Sequence, residues 1–291
     1  MTLRWRELRA ESVERLTGAG VGEPEREVGW IIERASGMTA AEQVGALDDA
    51  VPDRSAPFVR QMVSRRERGE PLQYVLGQWA FRTLDLLVDR RVLIPRPETE
   101  VVAGLAIEAA RERGEPGRPA VVVDLGTGSG AIALSLAAEC WPHVEVWATD
   151  SSADALAVTR ANLAGLGRRA GVVRAVQGDW FAALPPDLRG RVDLVVSNPP
   201  YVASGGELPG EVIDWEPRAA LLSGSDGLDD LRRIISEAPA WLTAGGALVV
   251  EIGETQRSAA LELAAQAGLV DAEVRPDLAG RDRALVARRA G

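Results

Sequence analysis

The sequence contains no lysine; all 33 basic residues are arginine. That excludes any chemistry built on a lysine, including a Walker-type phosphate loop and a Schiff base. Together with the abundance of alanine and glycine, it reads as the codon bias of a GC-rich genome rather than a functional choice. A single cysteine, Cys140, leaves no internal disulfide and no multi-cysteine metal site. It suits a reducing compartment and points to the cytoplasm. The only histidine, His143, falls at the start of a predicted strand, the wrong end for chemistry. Cys140 and His143 cannot make a metal site by themselves. No apolar run approaches the ~20 residues needed to span a membrane. The charged N-terminus has no apolar core of a secretory signal. Neither a membrane nor a metal is therefore expected.

What is present is ordinary for a globular protein. The chain has 291 residues, 46% of them hydrophobic and 26% charged, enough for a sizeable core and about two domains. Its charge is uneven. Residues 1–97 carry 15 arginines and 15 acids, so the whole net charge of −10 lies in the remainder. A body this acidic is a poor fit for tight binding of a nucleic-acid duplex, which rests on phosphate neutralisation. It favours a basic protein partner at long range.

Helical spacing of apolar residues predicts four helices in the first 71 residues, over 3–17, 24–35, 39–47 and 52–68. Thr39 and Glu42 form a capping box for the third. Arg60, Arg65, Arg66 and Arg68 read as a solvated basic helix end. Nothing in this bundle looks catalytic. Residues 74–82 and 84–88 read as two extended segments, a hairpin linking two domains. Pro97 then opens a helix whose first turn holds Glu98 and Glu100; the direction of Arg96, boxed between two prolines, is left without a reason. From Ala120 strands alternate with helices, which means a parallel sheet covered on both faces. A late pair of strands around the 277–281 turn makes an antiparallel edge.

Three successive strand ends carry the pattern of an adenosine site. Asp124-Leu125-Gly126-Thr127-Gly128-Ser129-Gly130 follows the first strand and opens a helix, with glycines that let the backbone turn and approach a ligand. Asp150 ends the second strand, placed to accept from both ribose hydroxyls. Asp179 and Trp180 follow the third, an acid for the adenine amine and a ring for its face. The fourth strand, Val192 to Ser197, ends in Asn198-Pro199-Pro200-Tyr201. Its prolines cannot continue a ladder, and Asn198 is pushed to an extended backbone. The turn holds an amide side chain, a prolyl carbonyl and an aromatic ring. Both oxygens are acceptors, suited to gripping a planar NH2 group. A methyl donor fits this set better than a dinucleotide, because no acid-base group stands ready for hydride chemistry. Glu251, ending the fifth strand, reads as a loop acid that could face the site.

The glycine loop, Asp150 and the Asn-Pro-Pro-Tyr turn resemble class I S-adenosylmethionine methyltransferases that modify planar nitrogen. The turn itself is shared by N6-adenine nucleic-acid methyltransferases and protein glutamine N5-methyltransferases. Pro71–Gly77, Leu93–Glu100, Glu216–Leu221, Asp226-Gly227-Leu228 and Asp277–Arg283 resemble the HemK/PrmC release-factor glutamine methyltransferases. That resemblance implies a Rossmann-like α/β fold: a seven-stranded methyltransferase sheet with an antiparallel last strand, preceded by the helical bundle and the hairpin. It implies a substrate-docking domain over 1–71, a hairpin linker over 72–95 and a methyltransferase domain over 96–291. The cofactor would be S-adenosylmethionine, leaving S-adenosylhomocysteine, held by Gly126, Thr127, Gly128, Ser129, Gly130, Asp150, Asp179, Trp180 and Asn198. Asn198, Pro199, Pro200 and Tyr201 would hold the glutamine of the Gly-Gly-Gln motif in class I peptide chain release factors, a step in support of translation termination. The alternative is methylation of adenine N6 in a nucleic acid.

Overall fold

The structure is a computed structural model and describes residues 2–206 and 209–291. Its contacts divide the chain into a helical unit, Met1–Gln78 with Gly210–Trp215, and an α/β unit, Trp79–Pro209 with Glu216–Gly291.

The helical unit holds α1 (Trp5–Gly18), α2 (Pro24–Ser36), α3 (Ala40–Gly45), α4 (Ser55–Glu67) and α5 (Leu72–Leu76). Leu8 and Leu16 of α1, Val28 and Ile31 of α2, and Val59 and Val63 of α4 have no solvent exposure, and these three helices pack on one another. Leu8, Leu16, Val28, Ile31 and Val63 are among the residues whose helical spacing gave the prediction, but Phe58, expected inward on the fourth helix, is 43% exposed and Val59 takes the buried place. The capping box forms as expected: Glu42 N–H donates to Thr39 Oγ1 at 3.4 Å, and Thr39 N–H to Glu42 Oε2 at 2.8 Å. The four arginines of α4 and its end are not a free basic surface. Arg60 pairs with Glu11, Arg65 with Glu70, and Arg66 with both Glu27 and Glu211, while Arg68 reaches Ser64. One expectation fails here. Tyr74-Val75-Leu76 is helical, not extended. Gly77, at φ +72°, closes that turn in the left-handed conformation. Burial of Leu72, Tyr74, Val75 and Leu76 outweighs the local strand preference of the run.

The α/β unit begins with a hairpin of β1 (Gln78–Phe81) and β2 (Leu84–Leu87), shorter than predicted. Then follow α6 (Pro97–Arg113), β3 (Ala120–Leu125), α7 (Ala131–Cys140), β4 (Val144–Asp150), α8 (Ala153–Ala164), β5 (Val173–Gln177) and β6 (Val192–Ser197). The connection leaving β6 contributes α9 (Gly210–Trp215) to the helical unit. It returns as α10 (Asp229–Trp241), β7 (Leu242–Glu251), α11 (Arg257–Gln266), β8 (Leu269–Pro276) and β9 (Asp282–Arg289).

The sheet runs β5-β4-β3-β6-β7-β9-β8. β3 to β7 are parallel, and β9 is antiparallel to both β7 and β8. Side chains alternate between two cores. Val122, Leu194, Val196 and Val249 pack with α6 and α7, while Val123, Val195, Leu248 and Val250 pack with α10 and α11. Asp193, the acid that interrupts the apolar run of β6, sits at the other end of the strand from the Asn-Pro-Pro-Tyr turn. It accepts from Arg118, Arg113 and the Val121 N–H, so its charge is compensated.

Strand order reverses at β3, with β4 on one side and β6 on the other. A crevice at the carboxyl ends is therefore expected between the loops after β3 and β6. Their last residues, Leu125 and Ser197, are register partners, and Ser197 Oγ donates to the Leu125 carbonyl at 2.7 Å. The glycine loop and the Asn-Pro-Pro-Tyr turn thus start side by side.

Candidate active site

A cavity of about 380 Å³ opens at this crevice. Gly126, Thr127, Gly128 and Ser129 form one wall, Asp150, Asp179 and Trp180 another. Asn198 and Pro200 close it from the side of β6. Gly130 does not line it; it takes φ +87° and turns the loop into α7. Pro199 and Tyr201 are not among the residues that line it. The sequence-predicted cofactor and substrate residues are therefore gathered at one place, most of them on one cavity.

The glycine loop is shaped by two constraints. Gly126 has φ +72°, and a Cβ there would come within 3.2 Å of the Trp180 ring, so only glycine lets that ring lie over the loop. Asp150 holds the loop's next turn, accepting from the Gly128 N–H at 2.9 Å and, with its other oxygen, from the Ser152 N–H at 2.9 Å. Each oxygen keeps a further acceptor position for a ligand. Burial pushes the Asp150 carboxyl above its usual range. Asp179 is more exposed and is ion-paired with Arg233 at 2.7 Å.

Asp124 lies beneath the loop, fully buried. Its Oδ2 accepts from the Thr127 hydroxyl at 2.7 Å and the Ala133 N–H at 3.1 Å. Its Oδ1 has no partner among the described residues. Desolvation raises the carboxyl to about 7, against those two hydrogen bonds. A buried carboxylate oxygen without a donor, on the wall of a cavity, is a place for a cationic group.

On the other side, Asn198 Nδ2 donates to Thr99 Oγ1 at 3.1 Å, and the Thr99 hydroxyl donates to Glu251 Oε2 at 2.7 Å. The Tyr201 hydroxyl faces Glu251 Oε1 at 3.5 Å. Glu251 is 1% exposed, and burial raises its carboxyl to about 7. The Tyr201 phenol goes to about 12, first by burial and then by the neighbouring Glu251 charge. Thr99 was missed in the sequence, and Glu251 was read as a loop acid. The structure puts both directly behind the amide of Asn198.

The remaining motifs frame this turn. Gln256 Nε2 donates to the Tyr201 carbonyl at 3.1 Å and to the Gly227 carbonyl at 3.0 Å. A Cβ on Gly227 would fall 2.5 Å from the Tyr201 carbonyl oxygen, so that close approach requires glycine. Arg96 gains its explanation: its guanidinium pairs with Glu216, whose other oxygen accepts from the Ile94 N–H at 3.2 Å. Glu98 binds Arg281 at 2.7 Å, and Asp277 organises the turn from which Arg281 reaches.

Comparison with known proteins bears on this geometry. Residues 7–77 match the PrmC N-terminal domain, and residues 112–213 match the methyltransferase small domain. A release factor glutamine methyltransferase of Moorella thermoacetica is 41% identical over 99% of both chains. The chain belongs to the release factor glutamine methyltransferase family. Members from Streptomyces coelicolor, 41% identical over 97% of this chain and 96% of that one, and Bordetella pertussis, 42% identical over 91% and 95%, match it nearly end to end. Among solved structures, a methyltransferase from Pyrococcus furiosus superposes with a TM-score of 0.51 at 18% identity, over 80% of this chain and 98% of that one. The hMettl16 catalytic domain does so with a TM-score of 0.52 at 15% identity, over 82% of each. At that identity these two show a shared fold alone.

Proposed function

We propose that this family member transfers a methyl group from S-adenosylmethionine to the side-chain amide nitrogen of the glutamine in the Gly-Gly-Gln motif of class I release factors. It would do so in the cytoplasm, in support of translation termination. The observation that carries the reading is the shared cavity, with the glycine loop and Asp150 on one wall and the Asn198 amide on the other. The near full-length likeness to curated glutamine methyltransferases supports the choice of glutamine over adenine.

The residues present fit the cofactor. The orphaned Asp124 Oδ1 suits its ammonium group, Asp150 its ribose, and Asp179 with Trp180 its adenine. Gly126 to Ser129 supply the close backbone approach. Asn198 bounds the same space. Bound there, the sulfonium supplies an electrophilic methyl carbon.

The chain's own residues deal with a poor nucleophile, an amide nitrogen whose lone pair is delocalised. Asn198 Oδ1 and the Pro199 carbonyl accept its two hydrogens. This directs the lone pair across the cavity and favours a less delocalised nitrogen. Positioning of this kind supplies up to ~7–11 kcal/mol of barrier reduction. The same two acceptors stabilise the positive charge that grows on nitrogen. Tyr201 backs the amide plane. The alkylated amide then loses one of those hydrogen-bonded protons to water beside Asn198. Residues 1–71 provide a second docking surface, adding affinity that one buried glutamine cannot.

One incubation with methyl-labelled S-adenosylmethionine tests this. A purified class I release factor, its Gly-Gly-Ala variant and duplex DNA are offered in parallel. Label is expected on the native factor alone. Label on DNA, or equal label on the variant factor, overturns the reading.

A further inference from the structure

We infer that Thr99 and Glu251 are positioning residues that set which way round the Asn198 amide sits, and so keep an acceptor rather than a donor facing the substrate. The inference rests on the proposed grip of an NH2 group by Asn198 Oδ1.

An asparagine side chain has an acceptor end and a donor end of nearly the same shape, and only its partners decide between them. A threonine hydroxyl does not decide by itself. It can donate to Oδ1 or accept from Nδ2, and either orientation of the amide is satisfied. Glu251 removes the choice. Ionised, its carboxylate only accepts, and it takes the single Thr99 proton at 2.7 Å in a charge-assisted bond. Thr99 Oγ1 is then left only to accept, which it does from Asn198 Nδ2 at 3.1 Å. The chain of donors runs one way, from Asn198 to Thr99 to Glu251, and Oδ1 is turned away from it.

The alternative account, a carboxylate buried for the sake of the fold, does not match its surroundings. The partners of Glu251 are two hydroxyls, those of Thr99 and Tyr201, both attached to the turn or to its anchor. The nearby Arg283 gives Nη1 to the Ile252 carbonyl and Nη2 to Asp277 instead. Thr99 lies in the first turn of α6, where its hydroxyl makes no cap and serves only this relay. Three elements meet here, β6, the start of α6 and the end of β7. Thr99 is 152 positions from Glu251 and 99 from Asn198 in sequence.

Replacing Glu251 by glutamine offers Thr99 an acceptor end or a donor end in place of an acceptor alone. The Thr99 proton is no longer committed to one side, and the Asn198 amide loses its single enforced orientation. The charged and titratable groups acting on Glu251 are Arg283, Glu98 and Tyr201. They stay in place in that variant.

The experiment compares full-length wild type with Thr99→Val, Thr99→Ser and Glu251→Gln, using the release factor and labelled S-adenosylmethionine. Thr99→Val is expected to lower kcat about 100-fold, the scale of one misdirected polar group at a reacting centre, and Glu251→Gln to lower it in the same direction but less. Cofactor Kd should stay within about twofold of wild type, because the glycine loop and Asp150 are untouched. Thr99→Ser, which keeps the hydroxyl, should recover most of kcat. The kcat of wild type should rise with pH as Glu251 ionises, and that limb should vanish in Glu251→Gln. Wild-type kcat in Thr99→Val, or a loss of kcat matched by loss of cofactor affinity, overturns the inference. If Glu251→Gln does not fold, the two threonine variants decide. A second readout is independent of the substrate: the Asn198 side-chain NH2 resonances. Slowed hydrogen exchange in wild type, lost in Thr99→Val, supports the relay. Equal exchange in both sinks it even if the factor is methylated. Failure of wild type to label the factor, with exchange still protected, would instead count against the proposed substrate.

Discussion

At the scale of single residues, the proposed mechanism rests on acceptors held by their neighbours, Asn198 by Thr99 and Asp150 by the loop amides. Asn198→Ala removes one of the two acceptors proposed for the amide hydrogens. It should lower kcat by about 100- to 1000-fold and leave S-adenosylmethionine affinity close to wild type, measured by initial rates and titration calorimetry. Unchanged turnover would remove Asn198 from the mechanism. Asp150→Ala should do the reverse. It deletes the proposed ribose acceptor and also frees the Gly128 and Ser152 amides that shape the loop. Calorimetry should show the loss in cofactor Kd first. That Asn198, Asp150 and the glycines would gather at one crevice was legible in the sequence because each stands at the end of its own strand. Thr99 and Glu251 were not, because their pairing closes only when α6 and β7 have docked on the sheet. The sole local trace of it was a carboxylate at the end of an apolar strand.

At the scale of elements, the segment before α6 and the segment after α9 are joined by one ion pair. Glu216 is buried and holds Arg96 and the Ile94 N–H, while Arg96 remains about one third exposed. Pro217 and Ala219 next to it, and Pro95 beside Arg96, all line the cavity. Arg96→Ala would leave a buried carboxylate without its cation. Allowing for solvent at the arginine, stability should fall by about 2–3 kcal/mol, with weaker cofactor binding as those walls loosen. Urea unfolding checks the first, and a normal midpoint would show the pair to be dispensable. Strand and helix existence was readable from periodicity almost throughout the α/β unit. Residues 74–76 were misread, since a short apolar run has no period long enough to separate a buried helical turn from a strand. The Asn162 side chain shows a contact no pattern reveals. It bonds the N–H and the C=O of Leu87 and the Ser129 carbonyl, fastening the hairpin to the glycine loop.

At the scale of the whole molecule, two buried acids shape the pH response. Asp124 and Glu251 both rise to about 7 on folding, chiefly by desolvation. The native state therefore holds protons that the unfolded chain has released, and their contribution to stability is lost as pH rises from about 4 through about 7. Arginine-paired carboxylates such as Glu11, Glu67 and Glu139 are shifted down and act the other way, losing their contribution only in stronger acid. Scanning calorimetry should give a Tm several degrees higher at about pH 5.5 than at about pH 8. Asp124→Asn should flatten that slope, and so should saturating S-adenosylhomocysteine if its ammonium meets Asp124. No helix of the described residues is long and apolar enough to cross a membrane. The division of the chain has a consequence for exchange between relatives. The backbone passes from one unit to the other at 78–79, 209–210 and 215–216. A module joined by one passage can be transplanted with a single cut. Here a chimera that imports residues 1–78 from another species must import residues 210–215 as well, or Glu211 is left without Arg66. Recombination that keeps the two segments together is the kind this architecture tolerates.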